Sequence, residues 1–227
     1  MDYNNMTTIR IKEVTLVAVS SIMVPETIDA LKISAQSIHF GDIKFISHEK
    51  TKNLPSWINF GYCPKINNIM DYNKYIFKDL TDQIETSHCL LIQYHGYVIN
   101  YFLWNDFWLD YDYIGAPWPV VSNSYITDKG ERVRVGNGGF SLRSKKLLDL
   151  PKKMNWDLEQ RRGFYNEDGN LTVYRRKEMV DLGIKYAPVE VAAKFSYENP
   201  VPENKGIIPF GFHRNIPPQK WVWHENA

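Results

Sequence analysis

The chain has 227 residues, 44% of them apolar, with 27 basic and 26 acidic side chains for a formal charge of +1. That length supports one good hydrophobic core and favours one domain over two; the balanced charge lends no support to a strongly electrostatic nucleic-acid binder. With only Cys63 and Cys89 present, a disulfide-rich scaffold is excluded and there are too few thiols for a cysteine-built zinc site.

The opening MDYNNMTTIRIKE has no basic patch followed by an apolar run, so it reads as a flexible segment over residues 1–13 and not as a secretory signal. No apolar stretch approaches the roughly 20 residues that cross a bilayer. A soluble cytoplasmic protein is the expectation, with peripheral contact at the inner face of the membrane left open.

VTLVAVS, Val14 to Ser20, is a continuous apolar and β-branched run, the pattern of a strand covered on both faces. After Pro25, TIDALKISAQSI spaces Ile28, Leu31, Ala35 and Ile38 as a helix, Gly41 is read as its end, and DIKFISHE as a second strand. A strand, helix, strand unit closes as a parallel sheet. Residues 51–68, with Pro55, Gly61 and Pro64, read as a loop, and a helix is predicted over Met70 to Ile84. CLLIQY is the next interior strand.

Residues 101–120 are crowded with aromatics and read as a structured edge or cleft wall, and Ser122 to Arg134 as a polar, mobile stretch. GNGGFSLRS combines permissive backbone with one large ring. Leu171, Tyr174, Glu178 and Leu182 suit a helix over Asn170 to Gly183, with Glu167 and Asp168 at its entrance and Arg175, Arg176 and Lys177 turned to water. IKYAPVEVAAKF is predicted as a late strand. The fold class expected is α/β: a single domain over residues 14–215 with a mostly parallel central sheet flanked by helices, followed by a tail over 216–227.

In open parallel sheets ligands collect beyond the carboxyl ends of the strands. Ser20 and Ser21 after the first strand, and Tyr94, His95 and Gly96 after the middle one, lie on that rim. SSIMVPE lacks the glycine fingerprint of a dinucleotide site. His95 can ligate a divalent metal or hold a diphosphate oxygen, or can simply be a loop histidine bonded to backbone; Gly96 lets backbone approach a ligand.

Asn137 offers an amide donor and acceptor, while Gly138 and Gly139 open room for a sugar or phosphate above Phe140; a plain tight bend is the alternative. Glu167 and Asp168 fit either helix capping or a general base facing a substrate. His213, with Arg214 beside it, can reach a diphosphate or metal. Trp104, Trp108, Tyr113 and Trp118 can each offer a flat face to a sugar ring.

Taken in order, LLIQYHGYVIN, WLDYDYIGAPW, VGNGGFSLRS, NEDGN and FGFHR resemble a bacterial family of small glycosyltransferase-like proteins catalogued as a domain of unknown function and similar to the GT-A nucleotide-sugar transferase fold. The likeness spans roughly residues 14 to 215. It implies that Val19, Ser20 and Ser21 hold the nucleotide base, and that Asn137, Gly138 and Gly139 lie beside the donor or acceptor sugar. It implies Glu167 or Asp168 as catalytic base, and His213 as a contact to metal or diphosphate.

In such enzymes the middle strand ends in an acidic motif carrying a divalent cation, Mn²⁺ or Mg²⁺, and the donor diphosphate. Here that position reads Gln93, Tyr94, His95, without an aspartate, which puts metal binding through His95 and His213 in question. The implied function is an inverting glycosyltransferase that moves a sugar from a nucleoside diphosphate donor to a carbohydrate or glycolipid acceptor, in assembly of a surface glycan such as a capsule or lipopolysaccharide. The second reading is a noncatalytic glycan-binding or assembly protein on the same scaffold. Neither involves nucleic acid.

Overall fold

The computed structural model describes residues 8–120, 125–160 and 166–218. Residues 1–7 of the N-terminal segment, 122–124 of the polar stretch and 219–227 of the tail lie outside the described residues.

A six-stranded sheet forms the centre, in the order β3-β2-β1-β4-β6-β5. Strands β1 (Ile9–Val19), β2 (Ile38–Ser47), β3 (Asn59–Tyr62) and β4 (His88–Ile92) run parallel. β6 (Phe140–Ser144) pairs antiparallel with β4, and β5 (Tyr113–Gly115) pairs antiparallel with β6 at the edge. The mostly parallel sheet is thus the one expected, and residues 101–120 do supply an edge strand.

The run VTLVAVS is apolar without alternation because both faces of β1 are covered. Leu16 and Ala18 face one core cluster with Leu90, Ile92 and Phe140, while Val17 and Val19 face another with Cys89 and Leu91. α1 (Val24–Ala35) and α6 (Val189–Phe195) close the first face through Ile28, Leu31, Ala192 and Phe195. α2 (Ile69–Lys78) and α3 (Lys145–Lys153) close the second through Tyr72, Ile76, Leu147 and Leu148. No helix among the described residues is long and apolar enough to cross a membrane.

Several sequence expectations are corrected. β1 begins at Ile9, inside the segment read as flexible, because Ile9 to Ile11 pair with Ile38 to Phe40. Gly41 stands within β2 and does not end the helix: a Cβ there would lie 2.0 Å from the Lys12 carbonyl oxygen, at the irregularity between Ile11 and Thr15 where the two backbones crowd. The loop read over residues 51–68 contains β3, too short for its alternation to register against the flanking prolines.

The segment read as a late strand forms α6, since Pro188 sets its N-cap and Ala192 and Phe195 share the buried face at helical spacing. The helix expected over Asn170 to Gly183 is broken into a short turn α4 (Glu167–Gly169), a wider π turn over Asn170–Tyr174 and α5 (Arg176–Asp181). Of its three basic residues only Lys177 is exposed. Arg175 lies 4.9 Å over the Trp156 ring and Arg176 4.1 Å over Tyr186, guanidinium on aromatic face.

Candidate functional site

The order of the sheet makes a crevice. β1 is followed in sequence by β2 on one side and flanked by β4 on the other, so the loops leaving β1 and β4 diverge at their carboxyl ends. A largely apolar cavity of about 220 Å³ opens there, walled by Val19 to Ile22 after β1, Ile66 to Ile69 entering α2, and Gln93 and Tyr94 after β4. A polar cavity of about 360 Å³ adjoins it, lined by Asn137, Gly138, Gly139, Glu167, Asp168, Glu198, His213 and Arg214. Ile69, Tyr72 and Gln93 border both, which makes one continuous cleft.

In the apolar half the serines named from sequence turn their hydroxyls onto the protein. Ser21 Oγ accepts the Ile66 N–H at 2.9 Å and lies 3.0 Å from His48 Nδ1, and Ser20 Oγ donates to the Ile22 carbonyl of its own loop. What they offer the cavity is shape and backbone. Asn68 caps α2, its Oδ1 accepting the Asp71 N–H at 3.0 Å, so the rim here is a fixed wall.

The polar half is built around His213. β7 (Ser196–Tyr197) and β8 (Gly211–Phe212) form a short parallel pair, so the residues that follow each strand, Glu198 and His213, emerge side by side. His213 Nδ1 lies 2.8 Å from Glu198 Oε1, and its Nε2 lies 3.1 Å from Gln93 Oε1. Glu198 Oε2 in turn accepts from the Asn137 amide, whose Oδ1 takes the Gly139 N–H at 3.1 Å. All four side chains border the cavity.

Gly139 is a glycine because this imidazole presses on its backbone: a Cβ would stand 2.1 Å from His213 Nε2. Gly139→Ala is therefore expected to push the ring off Gln93 and Glu198. The cost should be about 1–3 kcal/mol of stability, read as a lower urea midpoint at unchanged slope.

The two neighbouring acids have different fates. Glu167 is 3% exposed and forms a bidentate pair with Arg143, 2.8 Å from Nη1 and 2.9 Å from Nη2. The Arg143 side chain is fully buried. Asp168 has no basic partner among the described contacts; its Oδ2 accepts the Gly138 N–H at 3.1 Å and its Oδ1 the Gly169 N–H at 2.7 Å. Burial, and then the charge of Glu167, pushes the Asp168 carboxyl up from its ordinary 3.8 to about 7. The π turn that follows widens the chain immediately beyond this residue, a distortion frequent at functional sites.

The remaining sequence candidates divide between the cleft and its surroundings. His95 borders neither cavity; its ring packs edge-on against His213 at 4.6 Å, with Nδ1 buried and unpartnered. Burial, then the charges of His213 and Arg214, lowers it to about 4, so it is neutral near pH 7. Gly96 packs against the Phe212 and His213 backbone. Tyr94 borders the apolar half. Tyr113 and Trp108 are core residues, Trp104 packs on Trp108 and Phe210, and Trp118 alone of the four aromatics lines the polar half, stacked on Tyr125 at 3.8 Å.

A hard divalent cation needs oxygen ligands, carboxylates above all. β4 ends instead in Gln93, Tyr94 and His95. Glu198 is engaged by His213 and Asn137, Glu167 by Arg143, and both ring nitrogens of His213 already have partners. Among the described residues no group of three or more His, Cys, Asp or Glu stands together. The donor set does not fit such a cation, and His95 and His213 do not form a metal-binding pair.

Sequence reasoning missed Glu198, Arg143 and Tyr72. Glu198 sits in an ordinary polar loop and Arg143 alternates with apolar residues in a strand, so neither carried a local pattern; only the pairing of β7 with β8 and the fold of the glycine block bring them in.

A single-domain α/β fold with a mixed, mostly parallel sheet and a cleft at the β1/β4 switch is a GT-A-like arrangement. The chain belongs to the family described as "Protein of unknown function (DUF5672)", which matches residues 57–213.

An active-site mutant of LgtC is similar in structure, with a TM-score of 0.53 at 11% identity over 94% of this chain and 92% of that one. The glycosyltransferase GlyE of Streptococcus pneumoniae TIGR4 superposes with a TM-score of 0.44 at 13% identity, over 94% of this chain and 57% of its own. At these identities the likeness concerns the fold. Compared with curated proteins, the chain has no match.

Proposed function

We propose that this protein is a glycosyltransferase that moves a sugar from a nucleoside diphosphate donor to a carbohydrate acceptor. The observation that carries the reading is the continuous cleft at the switch point, apolar where β1 ends and polar where Asp168 stands. The apolar half suits a nucleobase and ribose; the polar half, with amide, imidazole and carboxylate groups, suits sugar hydroxyls.

Asp168 is the base in this reading. Its carboxylate takes the proton of an acceptor hydroxyl as that oxygen bonds to the anomeric carbon, and the bond to the diphosphate breaks with its electron pair leaving on the phosphate oxygen. A single displacement of this kind inverts the anomeric centre. Glu167, locked by Arg143, orients the turn, and its charge adds to desolvation in raising the Asp168 carboxyl. The setting proposed with this reading is surface-glycan assembly such as a capsule or lipopolysaccharide, with glycolipid acceptors at the inner face of the membrane.

The test is a panel of nucleoside diphosphate sugars offered with mono- and oligosaccharide acceptors. Product release, linkage and anomeric configuration are read by NMR. Equimolar nucleoside diphosphate and glycoside of inverted configuration are expected; donor binding without transfer across the panel would favour the noncatalytic glycan-binding reading instead.

The pH dependence follows from Asp168. A base must be ionised, so kcat/KM is expected to rise with pH through about 7 and level off above. Stability moves the other way: a carboxyl raised from 3.8 to about 7 on folding binds more protons in the native state, so its favourable contribution is complete below 3.8 and is lost as pH rises through about 7. Melting curves of the parent and of Asp168→Asn across that window check the sign, since the variant should lack this component.

A further inference from the structure

We propose that the donor's diphosphate is held without a divalent cation, by the guanidinium of Arg214, which lines the polar half of the cleft together with Gln93. This rests on the transferase reading above. Among the described residues that line the two cavities, Arg214 is the only lysine or arginine. Glu198 is committed to His213 and Asn137 and Glu167 to Arg143, while Asp168, the base of that reading, accepts from two backbone N–H groups. None of them is paired with Arg214, which leaves its charge for a ligand.

The backbone makes the placement specific. Arg214 adopts φ 62, a left-handed conformation that is unfavourable for a residue with a Cβ. It is kept there by its own N–H, which donates to the His95 carbonyl oxygen at 2.8 Å, and by the Asn215 N–H, which donates to the His213 carbonyl oxygen at 2.8 Å.

Those bonds tie Arg214 to the loop that leaves β4. That is where the two halves of the cleft meet at Gln93, and where a donor with its base in the apolar half and its sugar in the polar half must put its phosphates. His95 thereby gains a role that its ring does not have: its carbonyl positions Arg214, while its neutral imidazole underpins His213. A planar, permanently charged fork matches phosphate oxygens bidentately and can take the negative charge that grows on the leaving group.

The experiment uses the full chain stripped with EDTA and titrated calorimetrically with UDP, GDP, ADP, CDP and TDP, in EDTA and again in Mn²⁺ and in Mg²⁺. At least one nucleoside diphosphate should bind with the same Kd in all three buffers. Arg214→Ala should weaken it about ten- to a hundredfold while leaving the affinity for the matching nucleoside unchanged, and Arg214→Lys should fall between. Arg214 is exposed, so the variants are expected to melt with the parent.

Binding that requires Mn²⁺ or Mg²⁺ would overturn the proposal while sparing the transferase reading. So would an Arg214→Ala variant that binds the diphosphate as the parent does, or one that loses nucleoside and diphosphate equally. No binding of any of the five in any buffer would overturn both.

Discussion

Asp168→Asn should lower kcat for sugar transfer by roughly 100- to 10,000-fold, the range removed with a positioned general base, while the protein folds and binds nucleotide as before. The replacement is close to isosteric, but an amide has one oxygen where the carboxylate offers two, so only one of the Gly138 and Gly169 N–H groups keeps its acceptor. It also removes a half-buried carboxyl whose ionisation the surroundings oppose, which offsets the lost acceptor, so stability above pH 7 should hold. Turnover by coupled release of nucleoside diphosphate, set beside the melting temperature, checks the pair of outcomes. A variant that transfers sugar at the parental rate would remove Asp168 from the chemistry.

The second large effect lies under the site. Arg143→Met should destabilise the fold by about 3–5 kcal/mol, because it leaves the Glu167 carboxylate buried without its bidentate partner. Glu167→Met should be similarly costly by stranding the guanidinium. The double replacement should recover most of the loss, as methionines of comparable volume pack where two charges had to be desolvated together.

Urea denaturation of the four proteins gives the coupling directly. Strictly additive single effects would mean that the pair is not a unit. In the double variant the chain folds, yet Asp168 sits on a turn that Glu167 no longer fixes, so transfer should stay low. Stability and activity then separate, which a merely structural pair would not produce.

Much of the frame was legible from residue order. Interior strands announce themselves because Leu16, Val17, Leu90 and Leu91 must be apolar on both faces, and α1 shows its Pro25 opening and its Ile28 and Leu31 spacing. Short elements escaped, since four residues of β3 hold too little alternation to outweigh nearby prolines. α6 was mistaken for a strand because Val189 and Val191 alternate, while the burial that decides the matter falls on Ala192, Ala193 and Phe195.

The candidate site divides in the same way. Residues next to a local cue were found: Asn137 to Gly139 by their glycines, Glu167 and Asp168 by their place before a turn, His213 and Arg214 by their polar break among aromatics. Which acid is sequestered was invisible, because Arg143 lies 24 positions before Glu167 and reaches it only across the fold.

The amino-acid order by itself therefore determined the fold class, the parallel core strands and the loops that gather on one rim, since periodicity and backbone chemistry are local properties carried residue by residue. Tertiary structure alone decided which charges are free. Glu198 meets His213 because β7 and β8 lie parallel, Glu167 is silenced by Arg143, and Arg214 lines the polar cavity with no carboxylate paired to it among the described residues. Electrostatic roles depend on distance and burial between groups far apart in the chain, and those are created only when the chain packs.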